Sequence, residues 1–428
     1  MDDKRLEKDI EDFLITSMLD ELSPPAVSEA EGSTITDIDG REYLDCFSGI
    51  SVTNLGHSNE KVNERAIEQI KKYVHVCTYK YQVPVAVKLA KKLAGITPEG
   101  LQKTFFGNSG AEAIETAVKL SRKSTGKHEL IALMCSFHGR TLGTLSLTGQ
   151  AARRRYDMGP YLSSVSFSPA PYCYRCPFDK EYPECDMSCA RFLEHVIDYS
   201  SSGEVAAFIA EPILGEGGII VPPDEYFTIV KDILEDREIK FIADEVQTGF
   251  ARTGEFFGIE NYDVEPQLMT MAKGIANGYP ISACTTTKAV GDSFEPGDHL
   301  STFGGNPVSA AASLGTIEEI LENDIAERSA EKGDILQKRL REMKEDQEII
   351  GDVRGKGLMI GIELVKNDDK EPAVEEATKV KKKMKEKDVL IGQGGVSGSV
   401  LRIQPPLIIT EEQIDSLLNG LQDCFENV

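Results

Sequence analysis

Apolar positions change their rhythm along the chain. From about residue 100, short unbroken apolar runs alternate with stretches of helical spacing. The runs are Lys103-Thr-Phe-Phe106, Glu129-Leu-Ile-Ala-Leu-Met134, Ala206-Ala-Phe-Ile-Ala210, Lys240-Phe-Ile-Ala243, Gln267-Leu-Met-Thr-Met271 and Ile281-Ser-Ala-Cys284. Between the first two, apolar residues at 113, 114, 117, 118 and 120 predict a helix over Ala111–Ser121. Strands apolar on both sides and separated by helices belong to a mostly parallel sheet covered on both faces. The flanks read differently. Asp37-Ile-Asp-Gly40 predicts a hairpin turn between Ser33–Thr36 and Glu42–Asp45. Helices are predicted over 61–72 and 84–94 and, as one long stretch, over 305–346. A smaller C-terminal α+β unit follows, with Val353–Val365, a helix at 372–387 and strands near 389–392 and 400–404. The charge-rich segment 366–386 reads as a solvated helix face and its loop.

The fold class expected is therefore α/β, with a smaller α+β domain built from both chain ends. We expect residues 1–55 and 309–428 in the small domain and 56–308 in the large one. The 428 residues suffice for a core without disulfides or metals, and the charge of −24 disfavours nucleic acid or an anionic membrane as partner. The acidic N-terminus lacks a signal-peptide apolar region, and no apolar run approaches a membrane span. Nine cysteines in such a chain are expected to stay reduced in the cytoplasm.

Polar residues at the ends of the strands carry the chemistry. Three successive strands run into Glu211, Asp244 and Lys273, and open α/β sheets bind ligands outside the carboxyl ends of their strands. Phe106-Gly-Asn-Ser-Gly-Ala-Glu-Ala113 joins a strand to a helix with small residues, which suits an anion at a helix N-terminus. It has neither the P-loop lysine nor the dinucleotide spacing. Phe137 and His138, past the next strand end, could cover a flat ring, and Arg140 could hold a carboxylate. Together these parts suit pyridoxal phosphate. Lys273 would form the Schiff base and later act as the base. Asp244 would keep the pyridine nitrogen protonated.

Several motifs in order strengthen this. Gly107-Asn-Ser-Gly-Ala-Glu-Ala113, Phe137-His-Gly-Arg-Thr141, Glu211-Pro-Ile-Leu-Gly-Glu-Gly-Gly218, Asp244-Glu-Val-Gln-Thr-Gly249, Ala272-Lys-Gly274 and Thr302-Phe-Gly-Gly-Asn-Pro307 span most of the chain. With them the sequence resembles the class III pyridoxal-phosphate aminotransferases of fold type I. The resemblance implies phosphate binding around Ser109, Gly110 and Ala111, and stacking by His138 or Phe137. It puts Val246 on the opposite ring face and Gln247 on the ring hydroxyl. Thr302 would reach the phosphate of a neighbouring subunit, which implies a homodimer or a dimer of dimers.

The resemblance also bears on substrates. Arg402 matches an arginine for the substrate α-carboxylate, and Glu216 a switch that pairs with it when that carboxylate is missing. Arg140 matches a binder of the distal carboxylate, and Ile50 an active-site isoleucine of the γ-aminobutyrate branch. An ω-amino acid donor such as 4-aminobutyrate with 2-oxoglutarate as acceptor follows from this set. Tyr43-Leu-Asp-Cys-Phe-Ser-Gly-Ile50 resembles the alanine–glyoxylate branch as well. Some archaeal amino acid racemases share the Cys173-Tyr-Arg-Cys-Pro-Phe178 insert, and no residue identifies the second acid a racemase needs. A binding protein that has lost catalysis is disfavoured by the intact Lys273 and Asp244. Within the insert, Cys173, Cys176, Cys185 and Cys189 have a spacing that admits a structural zinc site; free or disulfide-paired thiols are the plainer reading.

Overall fold

The computed structural model describes residues 3–15, 17, 24–150 and 154–426. Its strands are β1 (Val27–Glu31), β2 (Thr34–Asp37), β3 (Glu42–Asp45), β4 (Leu101–Gly107), β5 (Glu129–Leu133), β6 (Val165–Ser168), β7 (Val205–Ala210), β8 (Lys240–Asp244), β9 (Leu268–Met271), β10 (Ser282–Thr287), β11 (Ile350–Lys356), β12 (Met359–Leu364), β13 (Val389–Leu390), β14 (Gly392–Gly394) and β15 (Val400–Ile403). The central sheet has the order β4-β10-β9-β8-β7-β5-β6. Only β10 runs against the rest, pairing antiparallel with both β4 and β9. The carboxyl ends of β4, β5, β7, β8 and β9 therefore share one edge of the sheet.

Both faces of this sheet are buried, as the unbroken apolar runs require. Phe208, Phe241 and Met269 enter the core on one face. Ala207, Ile209, Ile242 and Leu268 meet Ile114, Ala117 and Leu120 of the helix Gly110–Thr125 on the other. The period of two places alternate residues of one strand in the two clusters.

Two smaller sheets flank the central one. The first is β1-β2-β3-β13 and the second β11-β12-β15-β14. β13 pairs parallel with β3, so a C-terminal strand completes a sheet begun near the N-terminus. The hairpin turn at 37–40 and the helices Glu60–Ile70 and Pro84–Ala94 match the sequence reading. The long stretch 305–346 is instead two helices, Pro307–Glu322 and Ile325–Asp346. Asp324 breaks it with φ 49°, a left-handed conformation that Asp tolerates better than most residues.

Ser48, Gly49, Ile50 and Ser51 form a left-handed turn, with φ of 45°, 60°, 69° and 58°. For a β-branched Ile this costs about 1–2 kcal/mol. Its surroundings hold it in place. Asp45 Oδ1 accepts the N–H groups of Phe47 and Ser48, and Ser48 Oγ donates to the Gln404 carbonyl.

Candidate active site

Five strand ends build one cavity of about 300 Å³, the size class of small-molecule sites. β4 supplies Ser109 and Gly110, β5 Phe137, β7 Glu211, β8 Asp244 and β9 Lys273. β7 and β8 stop where their apolar runs meet Glu211 and Asp244, and β9 reaches Lys273 two residues past its end, so these polar groups sit at one sheet edge.

The loop after β4 enters the helix Gly110–Thr125. Ser109 Oγ accepts from the Glu112 N–H, and Glu112 Oε2 accepts from the Asn108 N–H at 2.6 Å. The first-turn N–H groups of Gly110 and Ala111 face no intrahelical acceptor, as in any helix start. A Cβ on Gly110 would come within 2.9 Å of Val246, so only glycine lets this turn approach that side chain. The result is a close-packed helix start whose free N–H groups and dipole would suit a phosphate.

Asp244 is buried. Its Oδ2 lies 2.7 Å from His138 Nδ1, and its Oδ1 accepts from Thr270 Oγ1 and the Val246 N–H. His138 lies behind Asp244 and does not line the cavity; Phe137 does. A ring cover by His138 is thus not what the geometry offers. His138 orients the carboxylate, and its Nε2 is buried without a partner.

Burial brings Lys273 down from its ordinary value to about 8, against the opposing pull of Glu216. An amine near neutrality is what a nucleophilic lysine needs. Glu211 goes the other way. Desolvation raises it to about 7, although the N–H groups of Phe137 and Gly215 donate to its two oxygens.

Beside this cavity lies a chain of charge. Arg402, on β15, donates to Glu216 Oε1 at 2.5 Å and, from Nη2, to Gln247 and Gln404 at 3.2 and 3.0 Å. Arg154 donates to the other Glu216 oxygen at 2.9 Å. Burial pushes Glu216 up, but Arg402, Lys273 and Arg154 outweigh it and bring it down to about 2. Sequence reading found Arg402 and Glu216 and missed Arg154 and Gln404. The signal for Arg154 was a run of three arginines, 153–155, in an acidic chain.

Other expected residues stand further out. Arg140 is exposed, its guanidinium 5.7 Å from the Phe137 ring centre. Ile50 is exposed; Val52 supplies the cavity wall from that segment. Thr302 is exposed and does not line the cavity of its own chain. The insert cysteines, for which the sequence admitted a zinc site beside the plainer reading of free or paired thiols, lie away from this cavity. Among the described residues, no three His, Cys, Asp or Glu are placed to hold a metal. The four insert cysteines surround one space of only about 20 Å³, and all are free. Cys173 is exposed at the mouth of this space and Cys185 is buried. Burial pushes the Cys189 thiol up to about 12.

A lysine near neutrality, a buried carboxylate paired with His138, an open helix start and an aromatic wall at the edge of a doubly covered sheet fit what a fold type I pyridoxal-phosphate site requires. The chain belongs to the class III aminotransferases, whose pattern matches residues 19–425. These are pyridoxal-phosphate-dependent transaminases, and the donor set found here fits that cofactor. A leucine/methionine racemase of Thermococcus litoralis is 41% identical over 409 residues, covering 95% of this chain and 91% of the relative. An acetylornithine aminotransferase of Methanothermobacter thermautotrophicus is 40% identical, covering 93% of each. The crystal structure of a Bacillus anthracis aminotransferase superposes with a TM-score of 0.94 at 33% identity, covering 100% of both chains.

Proposed function

We propose that this enzyme moves the amino group of an ω-amino acid of the 4-aminobutyrate type to 2-oxoglutarate. The observation that carries the reading is Glu216, held between two arginines within electrostatic reach of Lys273. Lys273 and Asp244 are the catalytic groups. Pyridoxal phosphate, when bound, supplies a ring that accepts electrons from the substrate carbon. Gly110, Ala111 and Ser109 hold its phosphate, Phe137 and Val246 its two faces, and Gln247 its hydroxyl. Asp244, oriented by His138, holds a proton on the ring nitrogen. Lys273, as the free amine, takes the proton from the substrate carbon and returns it elsewhere.

Substrate carboxylates are met by arginine forks. Arg140 takes the distal carboxylate. Arg402 takes the α-carboxylate of glutamate or 2-oxoglutarate once Glu216 releases it. An ω-amino acid has no α-carboxylate, and Glu216 then stays on Arg402. The enzyme works as a homodimer in the cytoplasm, with Thr302 completing the cavity of a second copy. Its exposure beside exposed Phe303 supports this.

A second reading is racemisation of an α-amino acid, favoured by the racemase relative. It needs a second acid on the face opposite Lys273. Glu211 lies near neutrality, but both its oxygens already accept backbone N–H groups. Single-turnover spectra with 4-aminobutyrate, glutamate and alanine test the first reading. Fast half-reactions with the first two support it; reaction with alanine alone sinks it. Appearance of the mirror image from one pure enantiomer, with no oxo acid present, establishes the second.

A further inference from the structure

Glu216 has two cationic partners where the switch just described uses one. Its Oε1 meets Arg402 and its Oε2 meets Arg154. The site is nearly closed to water, with side-chain exposures of 2% for Arg402, 12% for Glu216 and 20% for Arg154. Removing one partner from a buried pair leaves an uncompensated charge, which is strongly unfavourable. A carboxylate substrate that takes Arg402 would create that situation if Glu216 had no other cation.

Arg154 prevents it. Its backbone N–H donates to the Gln150 carbonyl at 2.9 Å. Its guanidinium lies 5.7 Å from the Phe137 ring centre, the same distance as that of Arg140. Its Nε is buried with no acceptor, so it has a donor to spare for Glu216 as the carboxylate turns. The Nε of Arg402 is likewise without an acceptor, leaving that fork a donor for an incoming carboxylate.

We propose that Arg154 is a positioning residue that keeps Glu216 paired while Arg402 binds a substrate carboxylate, and so sets how readily the site accepts α-carboxylate substrates. This rests on the Glu216 switch of the proposed function. The consequence is selective. Losing Arg154 ties Glu216 to Arg402 alone and closes the α-carboxylate site. It leaves ω-amino donors, which do not need Arg402, untouched.

The test is a double-substitution cycle on the holoenzyme, read by calorimetric binding of glutarate, a dicarboxylate that cannot react. Arg154→Met is expected to weaken glutarate binding about tenfold in the native background and less than about twofold on top of Glu216→Gln. KM for 2-oxoglutarate should rise in step, while KM for 4-aminobutyrate stays as it was. Arg154→Lys should restore part of the loss. Equal weakening in both backgrounds overturns the proposal, because Arg154 then acts directly on the ligand or on the fold. So does a matching rise of KM for both substrates, or no glutarate binding to the native enzyme. The substrate reading fails separately, if neither 4-aminobutyrate nor 2-oxoglutarate turns over whatever glutarate does.

Discussion

At the scale of single residues, buried charge is kept only where something answers it. Lys273 shows the catalytic use of this rule. Burial holds it at about 8, so its reactive amine form grows as pH rises through that value. The rate at which the apoenzyme takes up pyridoxal phosphate should therefore climb from pH 6.5 to about 9 and level off, with its midpoint near 8. A profile flat over that range would mean that Lys273 does not limit uptake. Arg252 shows the structural use. It is fully buried, and burial brings its pKa down to about 9. Its partners are all neutral: the carbonyls of Leu358 and Pro405, Ser48 Oγ and Asn54 Oδ1. It thus ties the left-handed turn at 48–51 to two C-terminal segments. Arg252→Met would leave those carbonyls buried and unpaired, at about 1–3 kcal/mol each. The expected result is a clearly lowered melting temperature with the fold intact by circular dichroism. An unchanged melting temperature would show that the cavity around Arg252 is hydrated and its bonds replaceable.

At the scale of elements, Glu245 links the loop after β8 to the short helix Gly258–Tyr262. Its carboxyl accepts from the Gly258 and Ile259 N–H groups and from Thr248 Oγ1. Burial nevertheless raises it from 4.5 to about 7. Below 4.5 the folded and unfolded chains both carry the proton, and the contribution is complete. As pH rises towards 7 the unfolded chain ionises first, and about 3 kcal/mol of stability is lost. Glu211 acts in the same direction. Glu245→Gln should therefore make the fall in melting temperature between pH 5 and about 7.5 shallower without abolishing it. A fall as steep as in the native protein would place the titration elsewhere. The elements legible in the sequence were those with a strong period: the buried strands, the helix after β4 and the hairpin at 37–40. β6 was not, because Val165-Ser-Phe-Ser168 is a short edge strand with half its positions polar. The helix break at Asp324 was hidden because one left-handed residue leaves the apolar period almost undisturbed. The places of Glu211, Asp244 and Lys273 beside one cavity were legible because strand ends put them at fixed points along the chain. Arg154 was not, because its partner is 62 residues away and joins it only through the fold.

At the scale of the whole molecule, the charge of −24 meets a site built for anions. Lys273 lines the cavity, Arg402 and Arg154 lie beside it, Arg140 stands further out, and Glu216 neutralises part of that charge. Over the whole chain, acidic residues outnumber basic ones by 71 to 47. Some are taken up in exposed pairs such as Arg41–Asp388 and Lys387–Asp423, which solvent screens and which contribute little. The excess is left to repel itself and, on the function proposed above, a dianionic acceptor such as 2-oxoglutarate. Salt acts on both. At about 1 M the screening length falls to roughly 3 Å, short enough to quench surface repulsion, while buried pairs such as Arg402–Glu216 are screened far less. Potassium chloride should therefore raise the melting temperature and, at its first additions, the kcat/KM for 2-oxoglutarate, while that for the zwitterionic 4-aminobutyrate moves little. Potassium glutamate at equal ionic strength separates screening from competition, since only glutamate also competes at Arg402. A melting temperature that stays level or falls with added chloride would mean that the acidic excess is already balanced by the exposed ion pairs, which salt weakens.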